Sequence, residues 1–284
     1  MHKHRFSAFN GVTLAADVAG DPESPPVVLM HGGGQTRHSW GTAADALARR
    51  GHHVISLDLR GHGDSDWAPD CDYSLGAFSS DLHCVLRTLR RAPAIVGASL
   101  GGLTGLLAVG ESEQPIASAL ILVDIVPKVD MEGAARIHGF MTSHPEGFAT
   151  VEDAAAAVAE YLPHRPRPKD VSGLRKNLRA GADGRLYWHW DPKFMSLSST
   201  NPQEAIARIN RAAQRVRIPT LLIRGEHSEI VSDEGVDAFK AMIPHAEYVD
   251  VKGARHMVAG DENSAFNGAL LDFLRRVHSS GGAQ

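Results

Sequence analysis

The segment "AIVGASLGGLTGLLAVG" at residues 94–110 constrains the fold of this chain more than any other part of its sequence. A short apolar run, which predicts a buried strand, leads into Gly97, Ser99 and Gly101 and then into a helical pattern. Glycines on both sides of a serine permit a sharp, strained turn and close packing of the helix on the strand. A glycine-rich turn that binds a phosphate, or nothing, can have the same spacing. The strand-to-helix context favours an exposed nucleophile at Ser99.

Short apolar runs and amphipathic helical patterns alternate along most of the chain. Runs of the kind expected for strands buried on both faces lie at 27–30, 53–59, 94–96, 119–124, 220–225 and 247–251. Leucine and phenylalanine recur at helical spacing over 75–89 and 266–277. This alternation predicts an α/β fold with a mostly parallel sheet flanked by helices. Two runs around Asn10 and Gly11, at 6–9 and 12–18, predict an antiparallel hairpin at the sheet edge.

The alternation stops between residues 128 and 216. This stretch has an alanine-rich helical pattern, a proline-rich turn and a further helical pattern, without apolar runs like those before it. Helices inserted between two strands of a sheet are most simply a cap over its carboxyl edge. We therefore expect residues 1–127 and 217–284 to form the core and 128–216 to form a helical cap or lid.

The composition excludes several functional classes. The chain has 284 residues, 43% of them hydrophobic, and 29 Lys and Arg balance 33 Asp and Glu to a net charge of -4. This balance does not suggest a nucleic-acid partner. No apolar run is long enough for a signal peptide or a membrane span, and two cysteines are too few for a disulfide framework. We expect a cytoplasmic protein without a membrane partner, and the sequence does not indicate its oligomeric state.

A second glycine-rich segment follows the strand that ends at Met30. His31 is followed by three glycines, and glycines leave backbone N–H groups open to a ligand. An acyl-transfer enzyme needs two such donors for the oxyanion, and the candidates are the amides of Gly33 and Leu100. The spacing fits neither common phosphate-binding loop. His31 is interpreted as a structural histidine that braces the loop.

A serine needs a base to take its proton. His256 lies between the last predicted strand and the last predicted helix, on a loop that returns to the carboxyl edge. A carboxylate after the penultimate strand would complete the order serine, acid, histidine.

At these residues the chain resembles an α/β-hydrolase of the esterase, lactonase and haloperoxidase-like branch. The resemblance runs through "HGGG", "DLRGHGDSD", "GASLGG", "LLIRGEHSEIV" and "GARHM" and covers nearly the whole chain. It implies a Ser-His-acid triad, no cofactor, no metal, and a pocket between lid and sheet. The "DLRGHGDSD" segment matches a signature loop of the family, in which Asp58, Arg60 and Asp64 are interpreted as structural.

The resemblance also indicates which carboxylate is the acid of the triad. Relatives have a loop like G-x-x-S-D-x-V after the penultimate strand, which puts the acid on Glu229, where aspartate is usual. Glutamate can orient and stabilise the imidazole if the loop absorbs one more methylene. Asp124, from which some α/β-hydrolases supply the acid, and Glu226 remain alternatives.

Aromatic residues are the weakest site candidates. Trp40 could form a wall of the acyl pocket, and Trp188 and Trp190 could line a pocket under the lid if the segment is extended. Plain packing explains all three as well.

These features predict a serine hydrolase that cleaves a carboxylic ester or lactone through a covalent acyl-enzyme. The serine disfavours dehalogenase and epoxide hydrolase chemistry, which use aspartate as nucleophile in this fold. Hydrolysis of a C–C bond in a dienoate, and ligand binding with negligible turnover, remain alternatives.

Overall fold

A computed structural model describes residues 1–128, 130–163, 170–195, 202–254 and 264–281. The strands are β1 His2–Ser7, β2 Thr13–Ala19, β3 Pro26–Met30, β4 His53–Leu57, β5 Ala94–Ala98, β6 Ala119–Val123, β7 Leu178–Ala180, β8 Leu186–Trp188, β9 Thr220–Gly225 and β10 Glu247–Val251. The helices are α1 Gly41–Arg49, α2 Leu75–Leu86, α3 Leu100–Glu111, α4 Met131–Thr142, α5 Val151–Tyr161, α6 Pro202–Arg215, α7 Asp233–Met242 and α8 Ser264–Gly281.

Eight strands form one sheet in the order β1-β2-β4-β3-β5-β6-β9-β10. β1 pairs with β2, and β2 with β4, in the antiparallel sense, whereas the remaining neighbours are parallel. The predicted α/β fold with a mostly parallel sheet is confirmed. The carboxyl ends of parallel strands share one edge, so the residues that follow β3, β5, β6 and β9 meet there.

The six predicted apolar runs all form strands of this sheet. The edge hairpin differs from the prediction at its turn, because β1 ends at Ser7 and Phe9–Gly11 form a 3₁₀ turn. Asn10 adopts a φ of 55° there, which is incompatible with continuing the strand.

Side chains alternate between the two faces of the sheet. In β3, Val28 and Met30 belong to the core cluster that also holds residues of α2, α3, α6 and α7. Val27 and Leu29 belong to the second cluster, which includes residues of α1 and α8. Strand β3 is therefore buried on both faces, as its continuous apolar sequence requires.

The segment between β6 and β9 holds α4, α5, the two-stranded hairpin β7–β8 and α6. The hairpin was not predicted, because three-residue strands are too short to show a periodicity. Helix α6 lies within the predicted lid of 128–216, yet it packs against α3 of the core. Arg208 of α6 forms an ion pair with Glu111 of α3, with Nε and Oε1 2.6 Å apart. The division of the chain into core and lid remains a prediction.

No helix in the part of the chain that the structure describes is both long and apolar enough to cross a membrane.

The α3–α6 contact generates a stability prediction. A Cβ added at Gly110 would lie 2.2 Å from the backbone oxygen of Ala212, whereas one at Gly139 of α4 would meet nothing within 4 Å. Gly110→Ala should therefore force the helices apart and lower the free energy of unfolding by more than about 1 kcal/mol. Gly139→Ala should raise it by about 0.5–1 kcal/mol through helix propensity. Urea unfolding of both variants tests the contact, and equal shifts would contradict it.

Candidate active site

Ser99 lies in a strained turn between β5 and α3. Its backbone has φ 46° and ψ −112°, a region that costs a non-glycine residue about 1–3 kcal/mol. The turn is closed by contacts that allow no side chain: a Cβ at Gly97 would lie 2.3 Å from the carbonyl of Gly101, and one at Gly101 would lie 2.4 Å from the oxygen of Met30. The predicted strand-to-helix context of Ser99 is therefore present.

The loop after β3 lies directly beside this serine. A Cβ added at Gly32 would be 3.3 Å from the Cβ of Ser99. Ser99, Gly33 and Leu100 all line one cavity. Among the described residues, neither the Gly33 amide nor the Leu100 amide donates a hydrogen bond. Two unpartnered donors next to a hydroxyl can stabilise negative charge that develops on a substrate oxygen.

The cavity has a volume of about 530 Å³ and lies between the carboxyl edge of the sheet and the segment that follows β6. Its wall is mostly apolar. The lining side chains beyond the glycine loop and Ser99 are Gln35, Ser39, Leu100, Leu103, Ile125, Ala134, Ile137, His138, Phe140, Met141, Val158, Tyr161, Leu162, Leu174, Asn177, Trp188, Trp190, Phe194, Met195 and Ile230.

The three tryptophans predicted as pocket residues do not all lie at the cavity. Trp188 and Trp190 line the cavity and stack on each other, with ring centroids 5.1 Å apart and planes 10° apart. Trp40 does not line this cavity. It is fully buried in the core cluster that includes α1 and α8, 6.2 Å from the ring of Phe266. The prediction that Trp40 forms a wall of the acyl pocket is therefore corrected. The turn before α1 directs its indole into the core instead of the cavity.

The carboxylates proposed as the triad acid occupy different environments. Asp124 follows β6 and is fully buried; its Oδ1 accepts from the Gly225 amide at 3.0 Å and its Oδ2 from the Ser228 hydroxyl at 2.7 Å. Glu229 forms an ion pair with Arg136 of α4 at 2.9 Å, and its side chain is 34% exposed.

Glu226, the third candidate, accepts a hydrogen bond from the Gly253 amide at 2.8 Å. His256, the predicted base, lies outside the described residues. Ala254 is the last described residue before it, and the Ala254 carbonyl accepts from the His227 amide at 2.9 Å. The chain before His256 therefore runs beside the loop that follows β9.

The signature loop after β4 is held by ion pairs, of which Asp58–Arg37 and Arg60–Asp81 are buried. Asp58 pairs with Arg37 and accepts from the Asp64 amide, and Arg60 pairs with Asp81 through Nε at 2.6 Å. Asp64 also pairs with Arg37, at 2.7 Å. The structural interpretation of Asp58, Arg60 and Asp64 agrees with these contacts.

Three buried histidines lie together beneath the glycine loop. The rings of His31 and His62 are 5.1 Å apart, and those of His62 and His189 are 5.8 Å apart. Burial lowers the pKa of His31 to about 4 and that of His62 to about 3, and it also holds the pKa of His189 well below its usual value. All three are therefore neutral at pH 7. Of the three, only His31 was predicted to be structural, because the contacts of His62 and His189 with the glycine loop join backbone groups distant in sequence.

A strained serine after a central strand of such a sheet, at the start of a helix and beside a glycine loop, defines the class of hydrolases that use a nucleophile elbow. A sequence profile for the alpha/beta hydrolase fold matches residues 25–262, and the chain therefore belongs to the α/β-hydrolase family. It is a hydrolase.

Similar proteins include named hydrolases. An esterase of Mycobacterium tuberculosis is 29% identical over 273 residues, which cover 89% of this chain and 83% of that protein. A 3-hydroxybutyrate-oligomer hydrolase of Cupriavidus necator is 28% identical over 252 residues, 84% of each chain. The crystal structure of E-2-(acetamidomethylene)succinate hydrolase superposes with a TM-score of 0.82 at 23% identity, covering 96% of this chain and 99% of the other.

The buried histidines generate a pH prediction. The pKa of His62 is about 3 in the folded chain, against 6.5 for an unperturbed histidine. As the pH falls, the unfolded chain takes up this proton at a higher pH than the folded chain does. The contribution of His62 to the free energy of unfolding is therefore fully present above about pH 6.5. It decreases as the pH drops toward 3, by up to about 1.4 kcal/mol per pH unit for each such group. His62→Gln should be less stable at pH 7 but should lose less stability between pH 6.5 and 5. Urea unfolding at each pH measures the difference, and parallel curves would refute it.

Proposed function

We propose that this chain is a serine hydrolase that cleaves carboxylic esters, including lactones, through a covalent acyl-enzyme. The observation that carries the proposal is the strained Ser99 beside the Gly33 and Leu100 amides, neither of which donates a hydrogen bond within the part of the chain that the structure describes. The names of its relatives, which include esterases, support the same reaction.

In the proposed mechanism the Ser99 oxygen attacks the ester carbonyl while His256 takes the hydroxyl proton. The carbonyl oxygen, now negative, accepts hydrogen bonds from the Gly33 and Leu100 amides. His256 returns the proton to the alcohol as the bond to the acyl carbon breaks. Water then attacks the acyl-enzyme by the same route and releases the acid.

For the acid, the geometry favours Asp124 over Glu229, which the sequence suggested. Asp124 directly follows Val123, whose carbonyl accepts a hydrogen bond from the Ser99 amide at 3.2 Å. The backbone of Asp124 therefore lies close to the nucleophile. Its burial strengthens its interaction with an imidazolium. The hydrogen bonds from the Gly225 amide and the Ser228 hydroxyl fix the orientation of its carboxylate. The charge of Glu229 is instead balanced by Arg136.

The cavity supports an apolar, uncharged substrate. No Asp, Glu, Lys or Arg lines it within the described ranges, and stacked aromatic rings form part of its wall. A charged acyl group would lose its hydration there without a counter-charge.

We also propose that residues 128–216 act as a lid over this cavity, since Ile137, Tyr161 and Trp188 of that segment line it.

A panel of 4-nitrophenyl esters tests the function. We expect kcat/KM to rise from acetate to hexanoate by up to about fourfold per methylene buried. An ester with a terminal carboxylate of the same length should react more slowly. Ser99→Ala should lower kcat by about 10⁶-fold while the protein stays folded. Ester cleavage that Ser99→Ala leaves unchanged, or no turnover in the wild type, would refute the proposal; the latter would favour a ligand-binding protein.

A matched pair of isosteric variants tests the acid. Asp124→Asn should lower kcat by about 10⁴-fold, because the imidazole loses its orienting charge. Glu229→Gln should change kcat by less than about tenfold, since the ion pair with Arg136 that it removes is partly exposed. A larger loss of kcat in Glu229→Gln than in Asp124→Asn would contradict this assignment and identify Glu229 as the acid. Labelling of Ser99 by a fluorophosphonate, together with thermal unfolding, separates lost chemistry from lost folding.

A further inference from the structure

Three consecutive peptide groups of the glycine loop are each held by a different buried histidine. The Gly32 carbonyl accepts from His31 Nδ1 at 2.7 Å, the Gly34 amide donates to His62 Nε2 at 3.1 Å, and the Gly34 carbonyl accepts from His189 Nε2 at 3.2 Å. These contacts fix the peptide planes on both sides of Gly33, which lines the cavity.

The second nitrogen of each ring is also engaged. His31 Nε2 accepts from the Leu59 amide at 3.0 Å, His62 Nδ1 donates to the Arg60 carbonyl at 2.9 Å, and His189 Nδ1 accepts from the Gly63 amide at 2.7 Å. A ring that accepts at one nitrogen and donates to a carbonyl at the other must be neutral and in a single tautomer. The hydrogen bonds therefore assign the tautomer of all three rings.

His189 reaches the loop from the segment between β6 and β9. Its own amide donates to the Asn177 carbonyl at 3.1 Å. Two residues later, the Asp191 amide donates to the Gly61 carbonyl at 2.8 Å, and the Tyr73 hydroxyl donates to Asp191 Oδ2 at 2.5 Å. The chain is thus held within the inserted segment at the His189 amide and attached to the core at Asp191.

We propose that His62 and His189 are positioning residues that hold the Gly33 amide in the geometry that stabilises the oxyanion. Glycine peptides are soft, and Gly34 has a φ of 72°, so the loop has little stiffness of its own. An oxyanion donor acts only when it is fixed before the reaction. The inserted segment therefore contributes to turnover of every ester, small or large, besides lining the cavity. This inference rests on the proposed ester hydrolysis.

Asparagine and glutamine variants separate the two nitrogens of each ring. The amide of asparagine lies near the position of Nδ1, and that of glutamine near Nε2. His189→Gln can still donate a hydrogen bond to the Gly34 carbonyl, whereas His189→Asn can only accept one from the Gly63 amide. His62→Gln can likewise accept from the Gly34 amide, and His62→Asn can donate only to Arg60. Each pair removes an equally buried ring, so the folding cost is matched.

We expect both glutamine variants to keep kcat within about threefold of the wild type. Both asparagine variants should lower kcat by about 10- to 100-fold. This decrease is no larger than the decrease in kcat that follows removal of a whole oxyanion donor. The factor should be the same for 4-nitrophenyl acetate and hexanoate, with KM nearly unchanged. The inhibition constant of a trifluoromethyl ketone, whose adduct with Ser99 carries an oxyanion, should rise by the factor by which kcat/KM falls.

Tyr73→Phe is the structural control. It removes the hydrogen bond to Asp191 at the same junction but does not touch Gly34. We expect a lower melting temperature and an unchanged kcat. Equal kcat in the asparagine and glutamine variants, an effect confined to long esters, or a kcat loss in Tyr73→Phe as large as in His189→Asn would each overturn the proposal. A wild type without serine-dependent turnover would instead refute the proposed function.

Discussion

Helix α3 packs against the sheet at a distance that leaves no room for a Cβ at Gly97, Gly101 or Gly102. This close approach holds Ser99 in a backbone conformation that it would not adopt in a free chain. The strain is compensated by apolar burial on both faces of β5 and along α3. The geometry of the cavity follows from it, because the amide of Leu100 and the loop after β3 take their places from the same contact.

The sequence predicted the parts of this arrangement that depend on local patterns. Apolar runs located the strands, and glycine spacing located Ser99 and the loop with Gly33. Contacts between distant segments left no such pattern. The indole of Trp40 could face either way after the glycine loop, and its burial against Phe266 depends on how α1 and α8 pack. The different surroundings of Asp124 and Glu229 likewise arise only when β6, β9 and α4 come together.

The segment between β6 and β9 combines two physical roles. Its apolar side chains form one wall of a cavity of about 530 Å³, where area and shape determine which groups are desolvated. The end of its hairpin is joined to the core by short polar contacts at Asp191 and His189. The polar contacts therefore hold one end of the segment on the core, while its apolar side chains shape the cavity.

The neutrality of the three buried histidines has a consequence for how acid–base behaviour can be measured. His31, His62 and His189 titrate well below neutrality, because burial disfavours their charged forms. At pH 7 and above, the three histidines that hold the glycine loop keep one protonation state. A titration of the reaction rate in that interval is not distorted by ionisation of these three rings, and it reports on groups that exchange protons elsewhere in the site.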